Sequence, residues 1–76
     1  MKLTVMISTG DIQELEVGRF DTIEEVCKKL IEVAKLGDVP LDRIRCFYQG
    51  KLLESEKALS DYGLQDGEMI SAMLPL

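Results

Sequence analysis

An amphipathic helix that begins near Thr22 is the feature that most constrains the fold of this chain. The segment Thr22-Ile-Glu-Glu25 is a capping box, in which a hydroxyl at the N-cap is followed one turn later by a glutamate. Apolar residues then recur at helical spacing, at Ile23, Val26, Cys27, Leu30, Val33 and Ala34. Gly37 is the predicted C-terminal stop, with Pro40 beyond it. A chain of 76 residues makes one domain, residues 1–76, so strands on both sides of the helix must cover its apolar face.

Alternating apolar and polar residues predict four to five strands. The first alternating run is residues 2–8, and a turn at residues 9–11 leads into a second run at residues 14–17, which predicts a hairpin. Gln13 stands where the alternation requires an apolar residue, and either a bulge or a solvated strand start explains it. The remaining strands are predicted at residues 43–48, 52–53 and 68–74.

This order of elements predicts an α+β fold, in which one helix packs across a mixed sheet of four to five strands. The first and last strands can lie side by side and parallel in the middle of the sheet. That arrangement buries the apolar residues at both ends of the chain. The predicted architecture is therefore a β-grasp.

Two of the predicted strands carry apolar side chains on their outward faces. Phe47 lies outward beside Arg43 and Arg45 in the third strand, and Met69 and Met73 lie outward in the last strand. An exposed aromatic ring next to methionines and basic residues favours a modest protein-binding site. Scattered apolar residues are also normal on protein surfaces, so a structural role without a ligand stays open.

Charge and residue content exclude several classes of function. The net charge is −5, and we expect neither a nucleic acid nor a membrane partner, because both favour clustered Lys and Arg. The chain has no histidine, and its two cysteines form no CxxC motif, so no metal site and no cofactor are predicted. Glu14 and Glu16 share one strand face as ordinary solvated carboxylates do, so no enzyme activity is predicted. Cys27 and Cys46 lie among apolar residues and are predicted to be buried reduced thiols, which favours the cytoplasm or the nucleus.

Five segments, taken in order, resemble the ubiquitin superfamily over nearly the whole chain. They are MKLTVMISTGDIQELEV for the opening hairpin, DTIEEV for the helix start, VPLDRIR for the loop into the third strand, YQGKLLE for the next turn and LSDYGLQ for the helical turn before the last strand. A short insertion between Leu30 and Pro40 departs from the family pattern. The resemblance implies a ubiquitin-like β-grasp, a Tyr62 hydroxyl bonded to backbone near Glu54, and a left-handed turn at Gly63.

The resemblance implies one of two functions. A modifier is joined to target lysines through a C-terminal diglycine, whereas a docking domain stays part of a larger protein and binds partners. The chain ends Met73-Leu74-Pro75-Leu76, without a diglycine, and Pro75 stiffens the segment that conjugation needs mobile. We therefore expect a docking domain that is not conjugated. A modifier whose diglycine lies beyond Leu76 and a structural fusion domain without a ligand are the alternatives.

The resemblance also implies which residues bind a partner. By position in the sequence they are Phe47, Met73, Ser71, Arg45, Lys51 and Ser8. Phe47 and Met73 hold the two main apolar positions, with Ser71 between them, while Arg45 and Lys51 are expected on the rim. Ser8 stands where the family has a leucine, so partner choice is expected to differ from that of ubiquitin. The Phe47 side chain is expected to be largely exposed.

The implied partners are proteasome receptor subunits, ubiquitin-interacting-motif helices or ubiquitin, bound by a monomeric domain. MKLTVM and YGLQDGEMISAML are most similar to the N-terminal domains of proteasome shuttle proteins, with the DNA-damage-inducible shuttle proteases as the nearest type. Shuttle proteins bring ubiquitylated substrates to the proteasome for degradation. The aspartic protease of that type would lie outside this chain, because Asp21-Thr22 is followed by Ile23 rather than glycine.

Overall fold

The computed structural model describes residues 1–75 and confirms the α+β prediction. In that range the strands and the α-helix follow in chain order as β1 Lys2–Ile7, β2 Ile12–Glu16, α1 Ile23–Val33, β3 Arg45–Tyr48, β4 Lys51–Leu53 and β5 Glu68–Met73. Two short 3₁₀ helices, Leu41–Arg43 and Leu59–Tyr62, precede β3 and β5. Leu76 lies outside the described residues, and so does the alternative prediction of a diglycine beyond it.

The five strands form one sheet in the order β2-β1-β5-β3-β4. The first and last strands, β1 and β5, run parallel in the middle of the sheet, as predicted, and the other neighbouring pairs are antiparallel. The parallel register pairs Leu3 with Glu68 at one end and Ile7 with Ala72 at the other. This topology is that of a β-grasp.

The hydrophobic core lies between α1 and one face of the sheet. Its buried members are Leu3, Val5, Ile7, Leu15, Val17, Ile23, Val26, Cys27, Leu30, Ile44, Cys46, Leu53, Leu59, Leu64, Ile70 and Ala72. Among residues 1–75 no polar or charged side chain is buried with them. Since successive strand residues point to opposite sides, burial of this set determines which side chains stand on the other face of the sheet.

The capping box at the start of α1 is formed as predicted. The Thr22 Oγ1 accepts a hydrogen bond from the backbone N–H of Glu25 at 3.2 Å, and the Glu25 carboxylate accepts one from the Thr22 N–H at 3.5 Å. The helix is 11 residues long. No helix within residues 1–75 has the length and apolar character that crossing a bilayer requires.

The helix ends before Gly37, and the prediction of a stop at that glycine is wrong. Val33 is the last helical residue, and Lys35 adopts the left-handed conformation, with φ of 53°. The N–H of Leu36 reaches back to the carbonyl of Ile31 at 3.0 Å. These are the features of a Schellman motif, in which the left-handed residue is usually glycine. Here a lysine occupies that position, which is why the sequence does not mark the end.

Two further predictions require correction. Val33 was predicted on the apolar helix face but is 50 % exposed, because the buried face of α1 ends one turn earlier, at Leu30. The third strand begins at Arg45 rather than at residue 43, because Leu41–Arg43 form a 3₁₀ turn after Pro40.

The unexpected Gln13 lies at the beginning of β2 on the core side of the sheet and is half-buried. Val5 pairs with Gln13 and Leu3 pairs with Leu15, so the register through this hairpin is continuous. Of the two explanations from the sequence, the structure therefore agrees with a solvated strand start and not with a bulge.

The turn that contains Tyr62 is tied to the loop after β4. The Tyr62 hydroxyl accepts a hydrogen bond from the Glu54 N–H at 2.8 Å, as the resemblance implied. Gly63 has φ of 69°, the left-handed conformation that costs glycine little. The Asp61 carboxylate accepts a further bond from the Ala58 N–H at 2.9 Å. Tyr62 is thus a structural residue that holds a loop with few strand pairings.

The two cysteines meet where α1 packs against β3. Cys27 and Cys46 are free thiols, 4 % and 2 % exposed, and their Sγ atoms lie 3.5 Å apart. The hydrogen bond to Cys27, together with burial, raises the pKa of the Cys46 thiol. The prediction of buried reduced thiols agrees with this arrangement.

We predict that Lys35→Gly stabilises the domain. Relief of left-handed strain contributes about 1–2 kcal/mol, and the greater unfolded-state freedom of glycine costs roughly 0.5–1 kcal/mol. The net gain of about 0.5–1 kcal/mol corresponds to a rise in Tm of roughly 2–8 °C, measured by circular dichroism. Lys35→Ala is the matched control, because it removes the same charge and keeps the strain. An equal rise in Tm for the alanine variant would attribute the effect to charge instead.

We also predict that neither thiol reacts with Ellman's reagent while the domain is folded. Exposure of Cys27 or Cys46 requires α1 to separate from β3, so labelling in native buffer should be at least about 100-fold slower than in guanidinium chloride. The unfolded chain should then release two equivalents of thionitrobenzoate. Rapid labelling of either thiol before the unfolding transition would contradict the packing of the helix against β3.

Candidate functional site

The face of the sheet that points away from α1, here called the outer face, carries most of the exposed apolar side chains. Five of the seven large hydrophobic residues that are exposed within residues 1–75 belong to it, and they are 42 to 57 % exposed: Met6, Ile12, Leu52, Met69 and Met73. The other two, Phe20 and Val33, lie in the loop before α1 and at the end of α1. The apolar exposure of the domain is therefore concentrated on one surface.

Strand register aligns part of this surface into a row. Met6 pairs with Ile12 on one side and with Ser71 on the other, and Phe47 pairs with Ser71 and with Leu52. These five residues, here called the transverse row, cross all five strands in the order β2-β1-β5-β3-β4. With strands about 4.8 Å apart, the row is roughly 19 Å long.

A shallow depression of about 140 Å³ opens in the middle of the transverse row. It is lined by Met6, Ile7, Ser8, Phe47, Ser71, Ala72 and Met73. The small side chain of Ser71 leaves room between the larger side chains of Met6, Phe47 and Met73. A site of this size accepts one aliphatic side chain, which is how small apolar anchors are bound at protein interfaces.

Phe47 is half-buried, which corrects the expectation that its side chain is largely exposed. It stands directly opposite Ser71 on one neighbouring strand and Leu52 on the other. Side chains at such opposed positions are close enough to cover part of an aromatic ring. Phe47 is absent from the buried core, so its ring forms a wall of the depression rather than part of the packing beneath α1.

The structure brings Ser8, Ser71 and Met73 together with Phe47 around the depression. Ser8 is held in place from two directions. Its N–H donates to the Ala72 carbonyl at 2.9 Å, and its hydroxyl accepts from the Leu74 N–H at 3.1 Å. Ser8 therefore supplies a fixed polar edge at the place where the resemblance implied an apolar contact.

The two basic residues expected on the rim of the depression, Arg45 and Lys51, lie on opposite faces of the sheet. Arg45 is exposed on the outer face, opposite Met73, and its Nη1 donates to the Asp42 carbonyl at 2.6 Å. Lys51 is not at the depression. It pairs with Tyr48, on the other face of the β3–β4 hairpin, and its Nζ lies 5.7 Å from the centroid of the Tyr62 ring.

Sequence reasoning missed three outer-face residues. The alternation in the first strand placed Met6 on the outward side, but the sequence did not show which residues of other strands lie next to it. Ile12 follows the turn directly, where alternation had not yet begun. Leu52 precedes Leu53 in a strand too short for its parity to be read, and the register with Phe47 is what shows that it points outward.

Two charged residues flank the transverse row, on opposite sides of it and over different strands. Arg45 lies on one side of the row, over β3, and Glu14, opposite Thr4, lies on the other side, over β2. Neither belongs to the two ion pairs found within residues 1–75. The neighbouring Glu16 is 3.5 Å from the ammonium group of Met1 and is partly compensated.

The lining of the depression offers binding groups and no catalytic set. Within residues 1–75 no group of three or more histidine, cysteine, aspartate or glutamate residues could hold a metal ion. The tyrosine next to Phe47, Tyr48, points to the opposite face, where its hydroxyl donates to the Glu68 carboxylate, and that bond raises the pKa of Tyr48. The arrangement is suited to docking an apolar side chain.

Comparison with protein families agrees with the topology. A sequence model described as the ubiquitin family matches residues 3–76. The match covers almost the whole chain, including α1 and every strand except the first residue of β1. This chain belongs to the ubiquitin family.

Proposed function

We propose that this chain is a docking domain of the ubiquitin system that is not conjugated to targets. Ubiquitin-like domains mediate protein–protein interactions and are not catalytic themselves. The proposed partners are proteasome receptor subunits, ubiquitin-interacting-motif helices or ubiquitin, in the cytoplasm or the nucleus. The observation that carries the proposal is the apolar depression between Met6, Phe47 and Met73, with Arg45 beside it.

An amphipathic helix is suited to this surface. One leucine or alanine of the helix fills the depression, and an acidic residue on its flank meets Arg45. A footprint this small buries less than about 1,200 Å² in total, so the expected affinity is weak and exchange is fast. Weak, reversible docking is what a domain that hands substrates to the proteasome requires.

The segment after β5 supports docking over the alternative of a modifier. Leu74 and Pro75 are half-buried, and the Leu74 N–H donates to the Ser8 hydroxyl at 3.1 Å. Pro75 also has a fixed φ. Conjugation requires this segment to be mobile and to enter narrow enzyme clefts, and these contacts oppose that.

Within docking domains, we place the chain nearest the N-terminal domains of proteasome shuttle proteins, and among these nearest the DNA-damage-inducible shuttle proteases. The basis is the similarity of MKLTVM and YGLQDGEMISAML to those domains. Any protease domain would be a separate part of such a protein.

The proposal is tested by titrating isotope-labelled protein with a ubiquitin-interacting-motif peptide, with ubiquitin and with a proteasome receptor domain, followed by amide shifts. Phe47→Ala should weaken binding at least about tenfold, because it removes a wall of the depression. Phe20→Ala is the matched control, since Phe20 is 76 % exposed and lies away from the outer face. Equal affinities of the two variants would contradict the proposal.

The stability of Phe47→Ala must be measured alongside its binding. Because the ring is half-buried, we expect a loss of about 1 kcal/mol in the free energy of unfolding, with the native dispersion of amide shifts retained. A far larger loss of stability would place Phe47 in the core and leave its effect on binding indirect.

We further predict that Arg45 contributes to the affinity for the partner and that Lys51 does not. Arg45→Ala should weaken partner binding about two- to fivefold at low salt, with the difference shrinking as salt increases. Lys51→Ala should leave the affinity unchanged, since Lys51 lies over Tyr62 on the other face of the hairpin. A larger effect from Lys51 than from Arg45 would contradict the placement of the binding surface.

A further inference from the structure

We propose that the docking surface spans all five strands and binds an amphipathic helix that lies across them along the transverse row. The acidic end of this helix lies over β3 and its basic end lies over β2. The inference rests on the proposed docking function and deepens it, because it gives the site a length, a direction and a partner of stated charge pattern.

The dimensions of the row match a helix that is perpendicular to the strands. An α-helix advances about 5.4 Å per turn, and neighbouring strands are about 4.8 Å apart, so each turn lies over approximately one strand. The roughly 19 Å of the row then corresponds to about 13 helical residues. Apolar residues at positions i, i+4, i+7 and i+11 face the sheet. The middle of the helix lies over the depression at Ser71, and its two ends lie near Ile12 and Leu52.

The exposed residues at the ends of the row are what extend the site beyond the depression. Ile12 on β2 is 57 % exposed and Leu52 on β4 is 47 % exposed, although each is directly paired with a neighbour in the row. Neither lines the depression. A partner that filled only the depression would leave both side chains in water, whereas a helix along the row covers both.

Two charges that belong to no ion pair within residues 1–75 give the helix a direction. Arg45 stands beside the row over β3 and attracts acidic side chains, and Glu14 stands beside it over β2 and attracts basic ones. Lys2 and Met1 lie with Glu16 at the far end of β1 and β2, away from the row. Since helices favour acidic residues in the first turn and basic residues in the last, the N-terminus of the partner lies over β3.

A second copy of the chain suits this surface less well. In a symmetric dimer that superposes the two rows, the two-fold axis lies either along the row or across it. Neither axis places Arg45 of one copy against Glu14 of the other, because the two residues are diagonal to the row. The net charge of −5 also opposes self-association. An extended peptide would add to an edge strand and leave the row uncovered.

The probe is a synthetic amphipathic helix of about 16 residues, long enough to cover the row. It carries leucine at i, i+4, i+7 and i+11, glutamate in its first turn, lysine in its last turn and alanine or glutamine elsewhere. A nitroxide is attached at one end or the other. We expect amide shifts in all five strands, broadening near Arg45 from the N-terminal label, and broadening near Glu14 from the C-terminal label.

Charge reversal tests the direction independently of affinity. The variant Glu14→Lys with Arg45→Glu should bind the same peptide in the opposite direction, so the two labels exchange the residues that they broaden. The matched control is Glu24→Lys with Lys28→Glu on the exposed face of α1, which leaves the net charge unchanged and should preserve the original pattern. An unchanged pattern in the first variant would overturn the assigned direction.

Truncation tests the length of the footprint. Ile12→Ala and Leu52→Ala should each weaken peptide binding about three- to tenfold, because each removes exposed apolar area at one end of the row. Val33→Ala is the control, since Val33 is equally exposed on the helix and should have no effect.

The outcomes separate this inference from the proposed function. If Phe47→Ala weakens peptide binding at least about tenfold while Ile12→Ala and Leu52→Ala leave it unchanged, the five-strand footprint is wrong and the docking function stands. If Phe47→Ala has no effect either, the docking function fails as well. If the amide shifts of the row change with protein concentration in the absence of peptide, and sedimentation shows a dimer, the partner is a second copy of the chain. That result would overturn the proposal of a helical partner.

Discussion

The parallel pairing of β1 with β5 joins the two ends of the chain at the middle of the sheet, and the other elements depend on it. It places Val5 beside Ile70 and Ile7 beside Ala72 on the side that α1 covers, which forms the centre of the core. Both hairpins then extend the sheet outward from this pair. A pairing between residues so distant in sequence carries a loop-closure cost, which the apolar contacts of the core must offset.

The same pairing builds the outer face. Because strand side chains alternate, the register that buries Val5 and Ile70 also places Met6 beside Ser71 on the opposite side. A shift of one residue would exchange the two faces and destroy both. The proposed docking surface therefore needs no separate element to hold it in shape, since the stability of the core also fixes the positions of Met6, Phe47 and Met73 around the depression.

Much of the fold follows from local patterns in the sequence, whereas the site depends on register. The capping box at Thr22 and the alternation in β1 are local signals, and both predicted their elements correctly. The end of α1 was missed because a lysine occupies the left-handed position that glycine usually takes. The exposure of Leu52 was missed because a strand of three residues has no readable period, and the rim position expected for Lys51 came from the resemblance alone. Only its pairing with Phe47 and Tyr48 assigns its two faces.

Ser8 links the shape of the docking surface to the behaviour of the C-terminal segment. An apolar side chain at this position would enlarge the surface, but it could not accept the hydrogen bond that the Leu74 N–H donates to the Ser8 hydroxyl. With serine, the depression loses an apolar contact, and the segment after β5 gains an anchor next to the rigid end of β1. A segment held in this way, with a fixed φ at Pro75, opposes the mobility that conjugation would require, in agreement with the proposed docking function. The exchange of one apolar contact for one hydrogen bond therefore bears on two properties, the shape of the outer face and the anchoring of the segment after β5, and both agree with the proposed docking domain.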